Sequence, residues 1–301
     1  MADLLELAQQ GDPATVAESK LSSMKLMPPR ELYLLWERQQ WQSQAIDFSR
    51  DLSDWDALGA DKQGFLIWNL ASFFVGEERV TTAFSPIVMS AADAHEESYL
   101  ATQQVDEARH MQFFDRFWTE VFGDRSATIR DRLVHVREDC NDAFIELFDR
   151  RLMETVERLR VDPTDRRAKI EAITIYHMVV EGTLALTGQH FLTDFMTKEG
   201  IFPGFVEGFS NVARDEHRHV AYGTWFLQKA CRDDPSATRL VHDTLLELLP
   251  VAAKVLVPPG MEGQDEYMTP AGYHSSEINT FAFTALSRRL KVIGIGLPVP
   301  A

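Results

Sequence analysis

Apolar residues recur at three- and four-residue intervals over most of the chain, as in Phe65-Leu66-Ile67-Trp68 followed by Leu70, Phe73, Phe74 and Val80. That period places them along one side of a helix. The pattern predicts helices over 30–48, 61–91, 94–122, 128–160, 165–199, 203–232, 236–256 and 276–291. Asp61 and the run Pro163-Thr164-Asp165 stand where helix starts are expected. The clearest interruptions are Val161–Asp165 and Val257-Pro258-Pro259-Gly260, and no segment alternates Val, Ile and Thr as a strand would. Helices of about 30 residues, each about 45 Å long, fit a large bundle. The expected architecture is all-α: a four-helix bundle core with additional helices in one domain over 30–301, preceded by a loosely structured leader over 1–29.

Composition adds what the chain is not. Forty-six acidic against 30 basic residues in 301 leave a formal charge of −16, which repels phosphate backbones and anionic lipid and argues against nucleic-acid and membrane-surface roles. No run approaches the ~18 apolar residues of a membrane span. The first residues lack the basic-then-apolar pattern of a secretory signal, and two cysteines, Cys140 and Cys231, make no disulfide framework. A cytoplasmic protein is expected.

Two pentapeptides repeat one another: Asp106-Glu107-Ala108-Arg109-His110 and Asp215-Glu216-His217-Arg218-His219. With 23 Glu and 9 His in the chain, chance gives about 0.7 Glu-x-x-His pairs. These two are present, they are the only two, and each has a carboxylate in an apolar helix upstream: Glu77 within 65–80 and Glu181 within 173–188. Residues i and i+3 share a helical face, so each Glu-x-x-His pair can grip one centre. A lone Glu on an apolar helix is costly to bury unless it is paired or bound to metal. One Glu from each of two helices, with one Glu-x-x-His from each of two others, is the donor set of a carboxylate-bridged dimetal site in a four-helix bundle. Oxygen and imidazole donors suit Fe and Mn. Glu78 is the rival of its neighbour Glu77, and His217 the weaker rival of His219. Asp106 and Asp215 are candidates to hold the second nitrogen of the histidines. Arg109 and Arg218 either orient those aspartates or reach solvent.

The DExRH boxes, the Gly76–Val80 run and the segment Thr174–Gly182 resemble the small subunit of ribonucleotide reductase and its oxidase relatives, within the ferritin-like superfamily, over about residues 36–250. A radical-bearing small subunit has a tyrosine one turn after its first histidine ligand, where this chain has Phe114, and another in a C-terminal tail, whereas the 28 residues after Tyr273 contain none. The ligand-binding oxidase branch is the better match, because it carries a valine three residues after the first glutamate ligand and a tyrosine five before the third. Here these are Val80 and Tyr176. The resemblance implies Mn held by Glu77, Glu107 and His110, and Fe held by Glu181, Glu216 and His219, with Glu107 bridging; a di-iron pair is the variant. It further implies O2 activation, an ether cross-link from the Tyr176 oxygen to Val80 Cβ, a long-chain fatty acid or similar lipid-like ligand, and a homodimer. It also sets Trp41 near Asp215.

Geometry alone supports Val80, at i+3 from Glu77. Tyr176 stands about 140° from Glu181 on a straight helix, so it reaches the site only through a π-type bulge or a favourable side-chain direction, and His177 is the better-placed neighbour. Phe73, Phe74, Phe113, Phe114 and Phe117 are core residues or the walls of an acyl tunnel. The alternatives are a tyrosine-free reductase small subunit and, outside enzymes, a metal- or fatty-acid-binding protein.

Overall fold

The computed structural model describes residues 25–297 and is predominantly helical; among the described residues the only β-type pairing is an isolated bridge between Met268 and His274. Most of the leader expected over 1–29 lies outside the described residues; residues 25–28 are irregular and Pro29 opens the first helix. The helices are α1 (Pro29–Arg38), α2 (Ser49–Ala57), α3 (Ala60–Met89), α4 (Ala94–Glu120), α5 (Ile129–Val136), α6 (142–161), α7 (166–199), α8 (Pro203–Asp233), α9 (Pro235–Val255) and α10 (Ser275–Ile293). No helix among them is long and apolar enough to cross a membrane.

The bundle core is α3 along α4 and the middle of α7 along α8, with α9 and α10 covering α7 and α6 lying beside α3. Caps fix the ends of these helices. The Asp93 carboxylate accepts from the His95 and Glu96 amides at the start of α4, and Asp165 accepts from the Ala168 amide before α7. The helix expected over 30–48 stops at Arg38; the chain then passes through a 3₁₀ turn at Ser43–Ala45 and forms α2, which the periodicity does not show. That short helix has a structural task. Buried Asp51 accepts from the Gly204 and Phe205 amides at 2.9 and 2.7 Å, and Asp54 accepts from Phe202, so α2 caps the N-terminus of α8. The segment expected as one helix over 128–160 is broken at Cys140, where Asn141 restarts it by accepting from the Phe144 amide.

Helix α7 is not regular. Residues Thr174–Ala185 are π-helical, flanked by α-helical turns on both sides. Two local features accommodate the wider coil. A Cβ at Gly182 would lie 2.6 Å from the His177 carbonyl oxygen, so only glycine fits there. The Gly182 carbonyl in turn accepts from buried Arg289 of α10 at 2.8 Å.

Candidate metal centre

Four helices each deliver part of one buried cluster. Glu77 comes from α3, Glu107 and His110 from α4, Glu181 from the π segment, and Glu216 and His219 from α8. All six are at most 7% exposed. His110 Nδ1 stands 3.4 Å from Glu77, 3.7 Å from Glu107 and 3.4 Å from Glu216. His219 Nδ1 stands 3.2 Å from Glu107, 3.1 Å from Glu181 and 3.5 Å from Glu216. The cluster thus resolves into two overlapping groups, Glu77–Glu107–His110–Glu216 and Glu107–Glu181–Glu216–His219, each with its donor atoms within 4.8 Å. Both Glu107 and Glu216 belong to each group, so either could be shared, whereas the resemblance implies Glu107 as the bridge. Glu78 turns away to Arg79 at 2.8 Å and to Thr82, so Glu77 is the residue in the cluster. His217 lies outside both groups, with Nδ1 facing the Ala213 carbonyl.

The donor set fits a metal pair. His110 Nδ1, Glu181 Oε2 and Glu216 Oε2 are buried without a hydrogen-bond partner, an arrangement that is costly unless something positive binds between them. Four carboxylates and two imidazoles without a thiolate are hard to borderline donors suited to Fe or Mn. The bare cluster meets its charge problem with protons. Burial lifts Glu77 to about 8 against the pull of His110, and raises Glu181 well above the carboxylate range, helped by Glu216. Burial opposes charge on both histidines, yet the surrounding carboxylates, Glu77 for His110 and Glu107 for His219, hold both well above the ordinary imidazole range.

The far nitrogens are held in a crossed arrangement. His110 Nε2 faces Asp215 at 3.3 Å and His219 Nε2 faces Asp106 at 3.2 Å, so each repeat's aspartate serves the other repeat's histidine. Arg218 joins the two halves, donating to Asp106 at 2.8 Å and to Asp215 at 2.7 Å, and Arg109 donates to Asp106 at 3.0 Å. Trp41 donates to Asp215 at 2.7 Å, and Trp36, which the sequence did not single out, donates to Asp106 at 2.8 Å. Burial resists ionisation of Asp215, but Arg218 and His110 more than offset it and hold its carboxyl far below the usual range.

Tyr176 reaches the centre because the helix there is π-helical. Five residues make about one turn of such a coil, and the Tyr176 hydroxyl donates to Glu107 at 2.5 Å. His177, favoured by ideal α-helical geometry, instead meets the Gln103 side chain at 3.2 Å, and the Gln103 amide reaches Glu181 at 3.2 Å. Val80 and Tyr176 line one cavity, of about 680 Å³ including its open mouth, whose floor is formed by Glu77, Glu107, Glu181 and Glu216. Its walls are apolar, but of the phenylalanines singled out in the sequence only Phe73 contributes; Phe144 and Phe148 of α6 supply the others. Phe113, Phe114 and Phe117 pack with Phe205 in the core, and Phe114 backs the cavity wall by stacking on Phe73 at 5.8 Å. These two α6 residues were invisible beforehand because no motif ties that helix to the repeats.

Known proteins share the fold. Structures of R2-like ligand-binding oxidase variants with reconstituted Mn/Fe cofactor superpose on this chain with TM-scores of 0.76–0.77. One, aerobically reconstituted, is 26% identical and covers 88% of this chain and 94% of its own at a TM-score of 0.77. Two others, anaerobically reconstituted, are 26 and 27% identical and cover 88% of this chain and 93% of theirs, each with a TM-score of 0.76. The sequence profile of the ribonucleotide reductase small chain matches residues 21–255, a span that contains all six clustered side chains. The chain belongs to the ribonucleotide reductase small-chain family.

Proposed function

We propose that the protein is a dimetal oxidase with a mixed Mn/Fe centre that activates dioxygen. Glu77, Glu107 and His110 would hold Mn, and Glu181, Glu216 and His219 would hold Fe. When bound, the metal pair supplies the site of dioxygen reduction and a Lewis acid at the cavity floor. The side chains do the rest. Asp106 and Asp215 fix the histidine orientations, Glu107 takes the Tyr176 proton, and the apolar walls exclude water. Joining the Tyr176 oxygen to Val80 Cβ removes one hydrogen from each and passes two electrons to dioxygen. The observation that carries this reading is the Tyr176 hydroxyl on Glu107, brought by the π segment into the cavity that Val80 also lines.

The same cavity, polar at its floor and apolar along its walls, suits a long-chain fatty acid or similar ligand with its carboxylate end at the metals. Two unpaired cysteines agree with a reducing cytoplasmic setting, and a homodimer follows from the resemblance. Oxygen uptake tests the proposal. Metal-free protein loaded anaerobically with Mn(II) and Fe(II) should consume about one O2 per site on exposure to air, and Glu107→Ala protein none. Absence of uptake by fully loaded wild-type protein would overturn it. The reductase alternative, favoured only by the family profile, predicts deoxynucleotide formation on mixing with a large reductase subunit.

A further inference from the structure

Tyr222 stands three residues after His219 on α8, one turn and about 4.5 Å along the axis. Its ring is fully buried. On one side it meets the His177 ring edge-on at 5.4 Å, and His177 connects through Gln103 to Glu181. On the other side Trp225 lies 6.1 Å away between ring centroids, and Trp225, half-buried, lines a surface concavity together with Glu96, Lys169 and Phe226. The rings of His177, Tyr222 and Trp225 therefore form a path from Gln103, which touches the metal cluster, to the surface.

The hydroxyl end is equally particular. Tyr222 donates to Glu96 Oε1 at 2.6 Å; Glu96 is buried, belongs to neither metal group, and is held by Lys169 Nζ at 2.9 Å and the Ala92 amide at 2.6 Å. Burial and the facing carboxylate keep the phenol protonated above its ordinary range. A buried phenol can give up an electron only if its proton leaves too, because a charged cation radical there is too costly. Tyr222 has an acceptor for that proton. Tyr99, whose ring lies 5.4 Å from that of Tyr222, has none, since its hydroxyl is buried without a hydrogen-bond partner. Packing alone does not call for this trio, because a phenylalanine fills nearly the same volume and a buried ion pair adds little stability.

We propose that Tyr222 is a one-electron relay between the dimetal site and the surface at Trp225, with Glu96 as the acceptor of its proton. The proposal rests on the dioxygen-activating reading of the site. In the outward step Tyr222 would give one electron toward a metal pair held by the six ligands and oxidised by dioxygen, its O–H bond would break, and the proton would pass to the Glu96 carboxylate, leaving a neutral tyrosyl radical and a carboxylic acid. In the return step a one-electron reductant in solution reduces the radical through Trp225, and Glu96 gives the proton back. The net result is one electron moved from the surface to the metals, with no change in Tyr222 or Glu96. Protonating Glu96 leaves the Lys169 ammonium without its counter-charge, which drives the proton back and keeps the radical short-lived.

Two arms test this. In the first, Mn/Fe-loaded full-length protein is mixed with O2, freeze-quenched and examined by electron paramagnetic resonance, with O2 uptake followed in parallel. In the second, metal-free full-length protein is oxidised by flash-generated ruthenium(III) tris-bipyridine. Both should give a neutral tyrosyl signal that narrows with ring-deuterated tyrosine. The part assigned to Tyr222 should fall at least tenfold in Tyr222→Phe and in Glu96→Gln/Lys169→Met, where no ammonium is left unpaired, and should persist in Tyr99→Phe. Trp225→Phe should slow re-reduction of the oxidised metals by ascorbate at least tenfold with metal content unchanged. A radical yield in Tyr222→Phe equal to wild type in both arms would overturn the relay even where O2 is consumed. A Tyr222 signal in the second arm without O2 uptake in the first would support the relay and count against the oxidase reading.

Discussion

Glycine 223 sets the distance between the two helices that carry the second half of the cluster. A Cβ built there would sit 2.2 Å from His177 Cβ. That atom is fixed to the backbone of the π segment, so no rotamer change relieves the contact. Ordinary contact begins at 3.4 Å, so Gly223→Ala must push α8 and the π segment apart by about 1 Å. The cluster spans that same joint, with His219 and Glu216 on α8 and Glu181 on the π segment, and His219 Nδ1 now 3.1 Å from Glu181. Metal ligation tolerates about 0.2 Å, so the shift should cost about 10–100-fold in metal affinity, comparable to losing an orienting partner. Overpacking should also cost about 1–3 kcal/mol, or about 2–5 °C in the thermal midpoint. Gly64→Ala is the control, because its Cβ meets nothing within 4 Å inside α3, and it should leave both quantities unchanged or slightly improved. Thermal unfolding of metal-free protein and Mn(II)/Fe(II) titration read the two effects separately. A Gly223→Ala protein with wild-type midpoint and wild-type metal affinity would refute the reasoning.

Other outcomes follow from the same geometry. Glu77→Gln should lower bound metal measured by elemental analysis from two ions per chain toward one, whereas Glu78→Gln, which only loses its bond to Arg79, should keep two. Tyr176→Phe should bind both metals yet lose the two-hydrogen mass change, because the hydroxyl that meets Glu107 is gone. The metal-free fold should lose stability as pH rises from about 6.5 to about 8 in urea titrations. Glu77 holds its proton up to about 8 in the fold and only to 4.5 when unfolded, so its contribution falls with rising pH, while below 6.5 buried His177, which burial holds well below the ordinary imidazole range, acts in the opposite direction. The raised histidines act in the same direction above 6.5. Metal loading should show the reverse trend, binding more tightly with rising pH and releasing protons to the buffer.

The six clustered side chains were legible in the sequence because their key relation is local: Glu107 with His110 and Glu216 with His219 share a face by spacing alone. What the spacing could not carry was everything set by departures from regular helix or by distant chain. Tyr176 lies 140° off on an α-helical reading and comes into place only because Thr174–Ala185 is π-helical. The crossed pairing of Asp106 with His219 and Asp215 with His110 depends on how α4 and α8 face one another. Trp36 and the α6 pair Phe144 and Phe148 arrive from elements that carry no part of the repeat. Helix α2 went unseen because only a short stretch follows the break after Arg38, and its apolar pattern is weak; its value lies in the Asp51 cap on α8.

In the proposed oxidase, Val80 and Tyr176 meet over a dioxygen-activating metal pair. Metal-free protein should be assembled with Mn(II) and Fe(II), exposed to air, digested with trypsin and weighed by mass spectrometry. One cross-linked species is expected, joining the peptides that contain Val80 and Tyr176, two hydrogens lighter than their sum and absent when assembly is anaerobic. Separate, unmodified peptides from protein that carries both metals and has consumed dioxygen would contradict it.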